Sequence, residues 1–383
     1  MNLKPLNFII LLGLVSLFAD MVYEGVRGVL SPLFFNLGAN SITIGFIFGI
    51  AEFLGWILRI FFGWLADKLK ICWQMVFAGY VLGVLSVPFL GFVKSWQIAS
   101  ILVIMERLGK AIRSPSRDLL LSSVTTDFGK GKAFGIHEFF DQLGAISGPL
   151  LVGLLLFLKR DYSLSLSFLF FPGIICLMIL SFAFKRYPVS LILKQESRSA
   201  LKEKRLPLNF WFYSLFTLLA VVGFLNFPLI AYHLKIHNLF SDGSIAFLFG
   251  LAMGIDAITA LVIGKIYDSQ GFKSLLILPF LNILLVLTAL KSDFIFIILG
   301  IIIWGIIMGI QETVMRAAVA DLVVLEKRGV AYGIFNSIYG GGIFLGLAIM
   351  GFLYRISFLY IIIFSIVFEI LSLPFLFLIQ KEA

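Results

Sequence analysis

The chain has 383 residues, 61% of them hydrophobic and 13% charged, with a formal net charge of +9. Soluble domains carry about twice that charged fraction, so a water-soluble enzyme or binding module is excluded. The Lys and Arg lie mostly between apolar runs, where membrane topology accounts for them better than nucleic-acid binding.

Apolar runs of about 18 to 25 residues follow one another along the chain, the pattern of membrane-spanning helices rather than of an alternating barrel. The expected fold is an all-α polytopic membrane protein with twelve transmembrane helices. They are placed at 6–35, 41–66, 72–93, 96–121, 132–158, 163–184, 208–235, 243–267, 273–290, 293–324, 330–355 and 357–379. The first run shows no small-residue cleavage site and continues into Asp20 and Glu24, so it reads as an uncleaved helix. Cys72 and Cys176 fall in separate segments and are expected as free thiols.

In the first helix, Asp20, Glu24 and Arg27 follow i, i+4, i+7 and share one face. The second carries Glu52 and Arg59. In the fourth, Glu106, Lys110, Arg113 and Arg117 form one charged stripe beside Arg107 and Asp118. Counted from Trp96 at 1.5 Å per residue, Glu106 lies about 15 Å in, near mid-bilayer. A charge there costs several kcal/mol unless it meets a partner or a wet cavity. For Arg113, Arg117 and Asp118, snorkelling to the headgroups stands as an equal alternative. The fifth helix holds His137, Glu138 and Asp141. With Asp20 these resemble a divalent-cation constellation, but one histidine and scattered carboxylates are a weak set, and no metal ligand is assigned. No cofactor is expected.

The C-terminal half has fewer buried charges, at Asp256, Glu312, Arg316 and Glu369, with Asn226 and Asn336 as polar contacts for a solute. The carboxylate candidates for proton coupling are Asp20, Glu24 and Glu52, then Asp141; static bridges to Arg27, Arg59, Arg107 or Lys110 are the competing role.

Residues 185–207 form the long polar connection, basic throughout, and divide the chain into halves 1–184 and 208–383. Positive charges concentrate on the side of the N-terminus and of this linker, so both termini and the linker are expected in the cytoplasm. The halves repeat. Residues 48–67 align without gaps on 249–268, and 131–148 on 329–346; Arg113 and Asp118 match Arg316 and Asp321. A six-helix unit duplicated in parallel is one way transporters are built.

With these features the chain resembles a major facilitator superfamily permease of the antiporter, efflux-like branch. The loop Gly63-Trp-Leu-Ala-Asp67-Lys68 resembles that family's gating signature after the second helix, and Gly264 to Asp268 repeats it after the eighth. Lys70 and Ile71 depart from the pattern, where glycine and arginine are usual. Gly144, Gly148 and Pro149 resemble the fifth-helix motif of antiporters, and Arg107 stands where a fourth-helix arginine is usual. Residues 107–123 and 135–150 resemble a branch of prokaryotic permeases. The resemblance implies a multi-pass protein of the cytoplasmic (inner) membrane, working as a monomer by alternating access. Helices 1, 4, 7 and 10 would line its cavity with 2, 5, 8 and 11 beside them, and nearly all the buried charges fall on these eight helices. The expected function is secondary active transport of a small solute, by proton-coupled antiport. Alternatives are a facilitator or importer of an anionic solute, drawn by Arg27, Arg59, Arg107, Lys110, Arg113 and Arg316, or a divalent-metal exporter. A non-transporting sensor lacks any added domain, and no phosphate loop, nucleophile elbow or HExxH motif suggests an enzyme.

Overall fold

The computed structural model describes residues 5–69, 71–123, 130–159, 161–187, 206–324 and 327–382. Lys70, most of the 185–207 linker and the side chain of Asp67 lie outside the described residues. Among the described residues every regular element is helical. They are α1 (Pro5–Asn36), α2 (Ser41–Leu69), α3 (Cys72–Phe89), α4 (Trp96–Ser123), α5 (Lys130–Lys159), α6 (Tyr162–Ser167) and α7 (Phe170–Arg186), followed by α8 (Leu208–Gly223), α9 (Phe227–Ile236), α10 (Asp242–Gln270), α11 (Ile277–Ala289), α12 (Phe294–Leu322), α13 (Arg328–Ile356) and α14 (Phe358–Glu382).

Local chemistry sets several boundaries. Gly38, at φ +88°, ends the turn after α1, and the Asn40 side chain accepts the Thr43 amide at 3.0 Å to start α2. Asp161 and Asp293 cap α6 and α12 in the same way, accepting from Ser163 N and Ile295 N at 2.9 Å. Gly271, at φ +56°, closes α10.

Three predicted helices differ from those found. The one expected over 208–235 is two, because α8 stops at Gly223, Phe224 and Asn226 are extended, and Pro228 opens α9. Proline lacks the N–H that would bond back across the gap and its ring clashes there, so it starts a helix rather than continuing one. The helix expected over 163–184 is interrupted at Phe168 and Leu169, one turn before Pro172, for the same reason. The stretch expected from 273 opens as a 3-10 turn over Gly271–Leu276 before α11.

Among the described residues, ten candidate membrane spans are long and apolar enough to cross a bilayer. One of them, Asp242–Ala289, covers 48 residues and contains both α10 and α11. The charged α4 is not among the ten. The internal repeat shows in helix lengths: α2 and α10 both have 29 residues, and each end is displaced by 201 positions (41 to 242, 69 to 270).

The chain folds into two compact units. The first comprises Met1–Leu33, Ile57–Arg198 and Asp242–Gly250, so α2 and α10 are each shared between the units. Inside it, α3 and α4 meet backbone to backbone: a Cβ on Gly79 would lie 2.6 Å from Gly109 O, and one on Gly109 2.6 Å from Gly83 N. Likewise α5 lies on α1 at Gly144 and Gly148, whose Cβ positions fall against the carbonyls of Leu17 and Met21. Small residues at this spacing let helices approach closely in lipid. The second unit comprises Phe34–Trp56, Ser199–Ser241 and Leu251–Ala383. There α13 packs on α8 through Gly346, where a Cβ would lie 2.7 Å from Val222 O, and α12 on α11 through Gly300, where a Cβ would lie 2.8 Å from Ala289.

Candidate functional site

In the first unit the charged residues converge from four helices. On α1, Glu24 is buried and pairs with Arg27 at 3.1 Å, one turn on. On α4, Glu106 and Arg107 are both 6% exposed and pair at 3.0 Å. Arg117 binds Asp118 through two nitrogens, at 3.0 and 2.9 Å, and reaches Ser16 Oγ at 3.4 Å. It also stands 4.0 Å from Asp141 on α5, which His137 Nδ1 approaches at 3.4 Å. Lys110 lies in the field of Arg27, Glu24, Arg107 and Arg59. Buried pairs of this kind cost desolvation and stand where helices face protein or water rather than lipid.

Asp20 differs from Glu24, Glu106, Asp118 and Asp141. It lies in the field of Asp141, Arg113, Lys110 and Glu24, yet among the described residues it makes no ion pair within 4 Å. Its Cβ is 3.0 Å from the place a Cβ on Gly144 would take. The glycine motif of α5 therefore sets how closely this carboxylate approaches α5.

Arg113 is 2% exposed, enclosed by protein on all sides. Its guanidinium lies 4.4 Å from the Tyr80 ring and 5.0 Å from the Tyr23 ring. Nε and Nη1 find no hydrogen-bond acceptor among the described residues. The ring faces supply the negative potential that a carboxylate would otherwise provide.

In the second unit, Tyr339 of α13 donates to Gln311 Oε1 at 2.8 Å. Tyr339 lies in the field of Glu312, Arg316, Glu52 and Asp256, and its ring meets Trp56 edge-on at 5.3 Å. The Arg316 guanidinium is 5.9 Å from the Trp56 ring. Phe335 stacks between Tyr339 and Tyr213, at 6.3 and 5.8 Å.

Asp20, Glu24, Arg27, Arg59, Lys110, Arg113 and Asp141 are thus brought together, as are Glu52, Asp256, Glu312 and Arg316. Glu138 is exposed and accepts from Gln142 at 3.3 Å. Asn226 sits in the break between α8 and α9, and Asn336 is half-buried on α13. In the gating loops, a Cβ on Gly63 would lie 3.4 Å from Pro115, and Lys68 lies 4.7 Å over Trp64. Asp268 is exposed, and its neighbour Tyr267 makes the link to α12, donating to Asp321 at 2.7 Å. Gly264 has open space around it save for Thr313 at 3.8 Å. Pro149 is accommodated within a continuous α5. Among the described residues no three His, Cys, Asp or Glu side chains gather to hold a metal ion. Sequence reasoning missed the tyrosines around Arg113 and the Gln311–Tyr339 pair, since uncharged residues in an aromatic-rich chain give no periodic signal.

Spans that bury ion pairs and carboxylates on their protein-facing sides define a polytopic transport protein. The chain belongs to the Major Facilitator Superfamily, whose sequence profile it matches over residues 12–290 and 223–383; it is a secondary transporter. An uncharacterized protein of Mycobacterium tuberculosis is 37% identical over 389 residues, covering 99% of this chain and 94% of that one. An uncharacterized MFS-type transporter of Methanocaldococcus jannaschii is 30% identical over 365 residues, 91% of this chain and 88% of its own. Among solved structures, the nucleoside transporter NupG superposes with a TM-score of 0.78 at 13% identity, over 96% of this chain and 99% of that chain. That likeness concerns the fold.

Proposed function

We propose that the protein is a proton-coupled antiporter that exports a small solute by alternating access of its N-terminal (1–184) and C-terminal (208–383) six-helix halves, joined by the 185–207 linker. The observation that carries this reading is Asp20, a carboxylate set among Asp141, Arg113 and Lys110 without a direct ion-pair partner within 4 Å among the described residues. A group balanced between like and opposite charges changes its proton occupancy when a small rearrangement changes its neighbours. Glu24, Glu106 and Asp141 are tied to basic partners and are suited to holding helices in place. The reading includes twelve crossings, obtained by adding α4 to the ten apolar spans and counting α10 and α11 separately. It also includes a monomer in a prokaryotic cytoplasmic membrane with both termini inside.

Proton release by the purified protein, followed while a panel of solutes is added, tests it. The wild type should release protons with one solute class, Asp20→Asn should abolish that release, and Glu24→Gln should retain most of it. A solute that binds with no proton movement in any variant removes the coupling role. A second reading then gains ground, a facilitator of an anionic solute. It is favoured by the presence of Arg27, Arg59 and Arg107 in the field of Lys110.

A further inference from the structure

α8 ends at Gly223 within the Leu208–Ile236 span, and residues 224–226 are not helical. A helix that stops inside a membrane leaves its last carbonyls without partners in their own segment. Here side chains from two other helices reach those carbonyls. Ser365 of α14 donates to Gly223 O at 2.6 Å. Asn282 of α11 extends its amide nitrogen to Ala220 O at 3.4 Å, and the same nitrogen donates to Glu369 Oε1 at 2.6 Å. The backbone contributes one bond, from Phe224 N to Val221 O at 3.3 Å.

Glu369, Asn282 and Ser365 are all at 0% exposure. Glu369 stands on α14 and makes no ion pair among the described residues. Its own carbonyl accepts from Ser372 at 2.7 Å. A Cβ on Gly223 would lie 2.7 Å from Glu369 Oε1, so the carboxyl stands directly against the end of α8. An acid buried among apolar helices, with no counter-charge, is unfavourable unless it fills a hydrogen-bonding need. The interrupted helix presents that need.

We propose that Glu369 is a positioning residue: by orienting Asn282, and together with Ser365, it caps the end of α8 from outside and holds residues 224–226 open. Asn226, which lies in that opening, then has a fixed backbone. The capping stands on the geometry alone; the meaning of Asn226 as a solute contact rests on the transport reading above. The site needs an oxygen that accepts from Asn282, which glutamine supplies as well as glutamic acid.

Amide hydrogen exchange of the purified full-length protein, read on peptides covering 218–229, tests this without any solute, so it succeeds or fails independently of the transport reading. Glu369→Leu, Asn282→Leu and Ser365→Ala should each speed exchange there by about tenfold, the loss of one hydrogen bond at a local opening. Glu369→Gln should match the wild type, and peptides from α1 and α4 should be unchanged in every variant. Unchanged exchange over 218–229 in Asn282→Leu and Ser365→Ala would overturn the proposal. So would an increase spread equally over α1 and α4, or a Gln variant that behaves like Leu. If Glu369→Leu does not accumulate, the Asn282 and Ser365 variants decide by the same criteria.

Discussion

Arg113 is held by two aromatic faces where a carboxylate would be the ordinary partner. Its planar guanidinium matches two rings in a way an ammonium group does not. Arg113→Lys should therefore lower the thermal midpoint in detergent, by a loss of about 1 to 2 kcal/mol. Tyr80→Phe keeps a ring face and should shift it little; equal losses in both variants would show that the phenol groups, rather than the ring faces, hold the arginine. The charge of this residue was legible from its place in the α4 stripe. Its partners were not, because Tyr23 and Tyr80 come from other helices and nothing in their spacing marks them. The face shared by Asp20, Glu24 and Arg27 was legible too, and the Glu24–Arg27 pair realises it. That Asp20 stays outside this pairing depends on where α4 and α5 arrive, which helical period along α1 does not encode.

Glycines set the approach of whole elements. A methyl on Gly79 or Gly109 would meet backbone atoms of the facing helix at 2.6 Å, and backbone cannot swing aside as a side-chain tip can. Gly79→Ala and Gly109→Ala should each cost about 1 to 3 kcal/mol by forcing α3 and α4 apart. Gly254→Ala on α10, with nothing within 4 Å of its new Cβ, should instead gain up to about 1 kcal/mol from helix propensity. Thermal melts of the three variants check the contrast, and a similar shift in all three would mean that packing does not decide it. Helix existence was read well from apolar runs, because lipid demands about 20 apolar residues per crossing. The start of α4 at Trp96 and the caps near α2 and α12 followed local rules. The break after Gly223 was missed although Gly223 and Pro228 both signal one. Hydropathy passes through it unbroken, and the residues that stabilise it lie on α11 and α14, about 60 and 140 positions away.

At the scale of the whole chain, the proposed twelve-crossing arrangement makes a plain topological prediction. A cysteine placed at Ser199 in the linker should react with an impermeant maleimide only in inside-out vesicles. One at Asn238, between α9 and α10, should react only in intact cells. The two native thiols are buried, so background labelling is low; Ser199 and Asn238 reacting from the same side would overturn the arrangement. The close approach of α3 and α4 has a further consequence, for how the chain is made. On this arrangement α4 crosses the bilayer although it carries Glu106, Arg107, Lys110 and Arg113 and is absent from the ten apolar spans. Each such charge near the centre opposes release from the translocon by about 2.5 to 3.5 kcal/mol, and several together outweigh the roughly −0.3 to −0.6 kcal/mol that each apolar residue of the helix returns. α4 therefore cannot partition into lipid alone as it leaves the ribosome. The glycine-lined face of α3, which precedes it in the chain, offers the packing surface, and the expected outcome is that the two helices enter the membrane as a pair. A change that spoils the α3 face would be felt first as a chain that fails to insert, before any folded transporter exists to be tested.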